Sequence, residues 1–141
     1  MAGDSLSSAT EKARGDRGPV IKVRNLSIHF GPRRAPVVAV DDLSFDLCRG
    51  ETLAIVGESG SGKSATALAM MRLLALKNGR ITNGTIHLAN RSEAGVDLLT
   101  LPEAAMRRIR GARISLIFQE PMTSLNPVYT VGEQIIETIV L

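Results

Sequence analysis

The 141-residue sequence contains no tryptophan, one tyrosine, three phenylalanines and one cysteine. With aromatics at 3%, it lacks the stacking surface on which single-stranded nucleic acids are held, so no nucleic-acid partner is expected. The lone thiol, Cys48, excludes an intrachain disulfide and a multi-cysteine metal site, and reads as a buried reduced side chain. His29 and His87 stand far apart with no companion at ligand spacing, which argues against a histidine metal centre. Hydrophobic residues make up 44% of the chain, yet no uninterrupted apolar stretch approaches the ~18 residues of a membrane span, and no apolar signal segment opens it. The net charge of +3 is mild and scattered, compatible with an anionic ligand or a membrane-proximal surface. These absences predict a cytoplasmic domain with a modest core.

Against that background one stretch carries chemistry. Gly57-Glu58-Ser59-Gly60-Ser61-Gly62-Lys63-Ser64 satisfies GxxxxGK[ST] at every fixed position, with a glycine to spare at Gly60. Glycines let successive backbone N–H groups turn into one concavity, Lys63 can reach the β- and γ-phosphates, and the Ser64 hydroxyl can ligate Mg²⁺. The flanks suit a phosphate loop. Thr52 to Val56 is a short apolar run with the character of a buried strand, and Ala65 to Lys77 has helix-forming composition, so the loop opens a helix N-terminus. Such a motif points to nucleotide binding and leaves the subsequent reaction open, because kinases, GTPases and transporters share it.

The remaining chain organises around this loop. Residues 1–18 are rich in Ser, Gly, Ala and mixed charge without a period, and read as a disordered leader; the domain is placed at 19–141. Val20 to Phe30 alternates in apolar character with a register change near Asn25, which predicts a strand pair or one bulged strand. After the breaker cluster Gly31 to Pro36, Val37 to Val40 and then Leu43, Phe45 and Leu47 resume extended structure, so an antiparallel sheet is expected ahead of the α/β core. Asn78-Gly79 stops the loop's helix, Ile81 to Leu88 returns to strand composition, and Asn90 to Gly95 reads as a polar loop. Pro102 opens a short helix to Arg110, whose Arg107, Arg108 and Arg110 read as a solvated basic face. Ala112 to Phe118 reads as a second buried strand, ending at Gln119-Glu120-Pro121. Thr130-Val131-Gly132-Glu133 fits a capping box opening a helix with apolar Val131, Ile135, Ile136, Ile139 and Val140.

Val40 to Phe45 with Gly50-Glu51, the loop GESGSGKS, Arg110-Gly111 and the run IFQEPMTSLNPVYTVGEQI from Ile117 to Ile135 together resemble the N-terminal part of an ABC transporter ATP-binding subunit of the peptide-importer branch, which includes oligopeptide, dipeptide and glutathione importers. The resemblance covers residues ~20 to 141. It implies an α/β P-loop NTPase core with an N-terminal antiparallel β subdomain and the start of a helical subdomain. It further implies ATP and Mg²⁺ as cofactors, transmembrane permease subunits and a second ATP-binding subunit or domain as partners, and a peripheral position on the cytoplasmic face of the inner membrane. By the same resemblance, residues Gly57 to Ala65 hold the phosphates, with Lys63 as clamp. Phe30 takes the place of the aromatic that stacks on adenine, commonly Tyr in the family, and Gln119 matches the Q-loop glutamine that contacts Mg²⁺ or the attacking water.

The family's signature LSGGQ, its Walker B strand ending in Asp-Glu and its switch histidine are not found in the sequence. Val37 to Asp42 imitates a Walker B run but precedes the phosphate loop, and Glu120 falls in the Q-loop. Since phosphoryl transfer to water needs a metal-holding carboxylate and a water-orienting group, the chain is expected to be an incomplete, hydrolysis-deficient ATPase. A small P-loop kinase or GTPase, and a non-enzymatic fragment that docks to a membrane subunit, remain the alternative readings.

Overall fold

A computed structural model describes residues 18–89, 95–119 and 125–140. Residues 1–17 of the leader, most of the polar loop after Leu88 and Glu120 of the Q-loop lie outside the described residues.

The core is a four-stranded antiparallel sheet in the order β2-β1-β3-β4, formed by β1 (Pro19–Phe30), β2 (Val37–Cys48), β3 (Gly79–Leu88) and β4 (Val96–Asp97). β1 lies between β2 and β3, so its backbone is bonded on both edges. The expected register change is present. β1 is one bulged strand, shifting between Val23 and Leu26 against β2 and between Arg24 and Ser27 against β3. Asn25 there takes φ 49°, and Asp42 opposite takes φ 51°; both are left-handed positions that Asn and Asp tolerate better than most side chains. The two bulges are tied together. Asn25 Nδ2 donates to Asp42 Oδ1 at 2.6 Å, Asn25 N to Ser44 Oγ at 2.8 Å, and Asp42 N to Ser27 Oγ at 3.2 Å. The extra residue brings Val23, Leu26 and Ile28 all to zero exposure, where strict alternation from Val23 would have turned Leu26 outward.

On the inner face these residues meet Ile86 and Leu88 of β3, Ala65 and Ala69 of the loop's helix, and Met106 and Ile109 of the basic helix. The loop's helix is shorter than composition suggested. α1 spans Lys63–Met70, Arg72 turns to φ 53°, and a single 3₁₀ turn at Leu74–Lys77 follows, closed by Asn78 at φ 56°. Arg72 accounts for the break: its guanidinium donates to the carbonyls of Leu98 and Leu101, at 3.4 and 2.5 Å, drawing the chain out of the helical path.

α2 (Glu103–Ile109) buries Met106 and Ile109 and leaves Arg107 and Arg108 in solvent. Arg110 departs from the expected solvated face. It donates to Met71 O at 2.8 Å and to Glu103 Oε1 at 2.5 Å, tying α2 to the end of α1. The capping box at α3 (Val131–Val140) is formed in both directions, Glu133 N to Thr130 Oγ1 at 3.3 Å and Thr130 N to Glu133 Oε2 at 2.8 Å. Cys48 is half-buried instead of enclosed.

Two expected strands do not form ladders. Thr52 to Val56 forms no strand and is exposed, Val56 at 87%, and Ala112 to Phe118 contributes one isolated bridge, Arg110 with Ile114, leaving Ile117 at 87% exposure. An apolar run records a preference for burial, but a strand also needs a neighbouring strand, and among the described residues neither segment forms a ladder with one.

Candidate functional site

The phosphate loop leads out of the irregular segment before it through a tight turn. Ser61 N donates to Glu58 O at 3.2 Å, and Gly60 at φ 83° supplies the positive angle that a type II turn requires at its third residue. Gly62, at φ 87°, then caps α1. Its place cannot be taken by another residue without displacement, because a Cβ there would run into the Ala39 carbonyl and come within 2.7 Å of Val40 Cγ2 on β2. The loop is thus seated directly on the sheet.

The first helical bond of α1 runs from Thr66 N to Gly62 O, at 2.8 Å. The N–H groups of Gly62, Lys63, Ser64 and Ala65 therefore precede any intrahelical acceptor. Gly62 has no side chain with which to cap them, and no acidic residue occupies the first turn. A helix start stripped of side-chain acceptors, at the positive end of its dipole, fits an anion with several oxygens. Thr66, 1% exposed, braces the turn with a second bond, Oγ1 to Gly62 O at 3.0 Å. Sequence reading passed over Thr66 and over Ala39-Val40. The position of a threonine four residues after the last loop glycine was the available signal for the former; the latter contact is long-range and leaves no local trace.

Lys63 is folded back across the loop. Its ammonium donates to Gly57 O at 2.7 Å, Glu58 O at 2.5 Å and Ser61 Oγ at 3.1 Å. Ser64 and Ser59 face solvent, while Ala65 is buried and can meet a ligand through its N–H alone. The Ser64 hydroxyl is an oxygen donor suited to Mg²⁺, which takes few protein ligands and several from phosphates.

Phe30 ends β1, paired with Val37 on one side and Gly79 on the other. A Cβ on Gly79 would lie 2.7 Å from Phe30 Cε1, so the ring lies over the bare glycine and is half-buried there. Val37 is two residues from Ala39, about 7 Å along the strand, and Ala39 backs Gly62; ring and loop consequently share one end of the sheet. Gln119 stands apart from this group. It is exposed at the end of the unpaired segment, and among the described residues no hydrogen bond joins it to Gly57–Ser64. A shallow groove of about 460 Å³ bordered by Arg72, Gly79, Arg80 and Leu99 includes no loop residue, and its Arg80 is engaged with Gly31 O at 2.6 Å.

The ABC transporter family profile matches residues 40–139. The chain is 56% identical over 124 residues to the glutathione import ATP-binding protein GsiA of Escherichia coli O1:K1 / APEC, and shows the same identity over the same length to the proteins of that name in Shigella boydii serotype 4 (strain Sb227) and Escherichia coli (strain K12). Each match covers 88% of this chain and 20% of the relative, so the chain spans about one fifth of the length of these curated relatives.

Proposed function

The chain belongs to the ABC transporter family, and from that membership we propose that it binds Mg-ATP at Gly57–Ser64 as the ATP-binding part of an importer for glutathione or related peptides. The observation that carries this reading is the helix start at Gly62, which has no side-chain cap and no acidic residue in its first turn, with Lys63 beside it. The backbone amides from Gly62 to Ala65 bind the phosphate oxygens and Lys63 neutralises their charge. Ser64 ligates the Mg²⁺ that arrives with the nucleotide; the ion draws electron density from the phosphate oxygens and compensates their charge. Phe30 would offer a ring face to the adenine from the same end of the sheet, and the Gln119 amide is the further group that would serve the metal or the attacking water.

Partners follow from the same membership: a membrane-embedded permease and a second ATP-binding unit. Among the described residues no helix is long and apolar enough to cross a membrane; the family membership supports a place at the inner membrane, held through the permease. Substrate choice rests with other subunits. The name of these relatives supports glutathione, and the QEPMTSLNP run supports the wider peptide class.

Calorimetric titration of the 141-residue chain with ATP, with and without Mg²⁺, tests the reading. Magnesium-dependent uptake, weakened in Lys63→Ala, is expected; absence of uptake by folded protein overturns it.

A further inference from the structure

The three donors of the Lys63 ammonium all have acceptors within the loop that is to receive the phosphates. Two are backbone carbonyls, of Gly57 and Glu58. The third is the Ser61 hydroxyl, a side chain free to turn elsewhere. That hydroxyl is folded inward: a Cβ built on Gly57 would lie 2.6 Å from Ser61 Oγ, so it stands directly over the first glycine of the loop. Ser61 N is engaged in the turn to Glu58 O, which fixes the backbone while leaving the side chain its rotamers.

We infer that Ser61 is a positioning residue that latches Lys63 onto its own loop, and that an entering polyphosphate displaces the Ser61 hydroxyl from the ammonium before Lys63 engages it. This rests on the nucleotide-binding reading above. A phosphate oxygen carries charge and makes a stronger bond to an ammonium than a neutral hydroxyl does, so the exchange runs forward, but from a ligand-free state that the latch has stabilised. The latch therefore lowers affinity and keeps the loop ordered when no nucleotide is present. A hydroxyl that instead donated to phosphate in the bound state would act in the opposite sense, since its removal would weaken binding.

The test compares the parent chain with Ser61→Ala and Ser61→Thr. In ligand-free protein, backbone amides from Glu58 to Gly62 are expected to exchange with solvent about 5-fold faster in Ser61→Ala, with Ser61→Thr, which keeps the hydroxyl, close to the parent. In titrations with Mg-ATP and with Mg-pyrophosphate, Ser61→Ala is expected to bind about 5-fold more tightly and Ser61→Thr like the parent. Exchange that is unchanged by Ser61→Ala, or affinity that is equal or weaker, overturns the latch. If the parent takes up neither ligand, the nucleotide reading fails, and the exchange measurement alone decides whether Ser61 holds Lys63 in place.

Discussion

Gly62 rests on Ala39: the last glycine of the phosphate loop lies so close to the Ala39 carbonyl on β2 that there is no room for a side chain. Gly62 also holds φ 87°, an angle that an L-residue adopts at a cost of about 1–2 kcal/mol. Gly62→Ala adds overpacking against backbone to that strain, so a loss of about 2–5 kcal/mol in unfolding free energy is expected. Urea denaturation monitored by circular dichroism checks it. Gly60→Ala is the control: its φ of 83° carries strain, but its Cβ meets nothing within 4 Å, and the loss should be about 1–2 kcal/mol.

Lys63→Ala removes the cation of the loop together with three bonds to it. Binding of Mg-ATP should weaken by about 2 kcal/mol or more, the scale of a charge-assisted contact, as read by calorimetry. Equal titration curves for variant and parent would contradict the clamp role.

Thr66→Val keeps the shape of a buried side chain and deletes its bond to Gly62 O, while Thr66 N still satisfies that carbonyl. A loss of about 1 kcal/mol in stability is expected, with weaker Mg-ATP binding if the brace holds the loop's geometry. Unaltered denaturation would show that the backbone bond suffices.

Two glutamates set a pH dependence. The Glu103 carboxyl is held below its ordinary value of 4.5 by its hydrogen bond from Arg110, and Glu133 likewise by the backbone and then the hydroxyl of Thr130. A carboxylate whose folded pKa is depressed contributes stability that is present above the unfolded value and lost as pH falls through the folded one. The stability difference between the parent and Glu103→Gln should therefore be full at neutral pH and narrow below pH 4.5. Denaturation curves collected from neutral pH down into the acid range test this. A gap that does not narrow at all as the carboxyl is protonated would mean that the Gln side chain costs packing and not charge.

Val56, Ile117, Val128, Ile136, Ile139 and Val140 are all at least 60% exposed, and α3 buries none of its residues. An apolar surface of this kind binds solvatochromic dyes and promotes association. The purified chain is expected to enhance 8-anilinonaphthalene sulfonate fluorescence, and Ile136→Glu with Ile139→Glu should reduce it without lowering the thermal midpoint. A parental signal in the double variant would place the dye elsewhere.

The contrast between what was legible and what was not follows from range. Alternation with a change of phase at Asn25 revealed a bulged strand, and Thr130 with Glu133 revealed a cap, because each is written within a few residues. The loop from Gly57 to Ser64 was legible for the same reason. The exposure of Thr52 to Val56 was not, since apolar composition states what a segment prefers and the neighbouring backbone decides whether it is met. Arg110 was read as part of a solvated basic face and Arg72 was passed over, yet each reaches a carbonyl across the domain, at Met71 and at Leu101. For the site, Ala39 backs the loop from 23 positions upstream of Gly62, a proximity that only the folded sheet creates.

The polar knot between Asn25 and Asp42 sits midway along the β1–β2 hairpin, away from the turn at Gly31–Pro36. A hairpin normally takes its alignment from its turn, so a length change in the turn would propagate to the far end. Here the frame is kept from the middle. Residues can be gained or lost around Arg33 and Arg34 while Val23 and Phe45 stay opposite each other, which makes that tip a place where related chains are free to diverge and a tag can be inserted without unseating the loop that Ala39 supports.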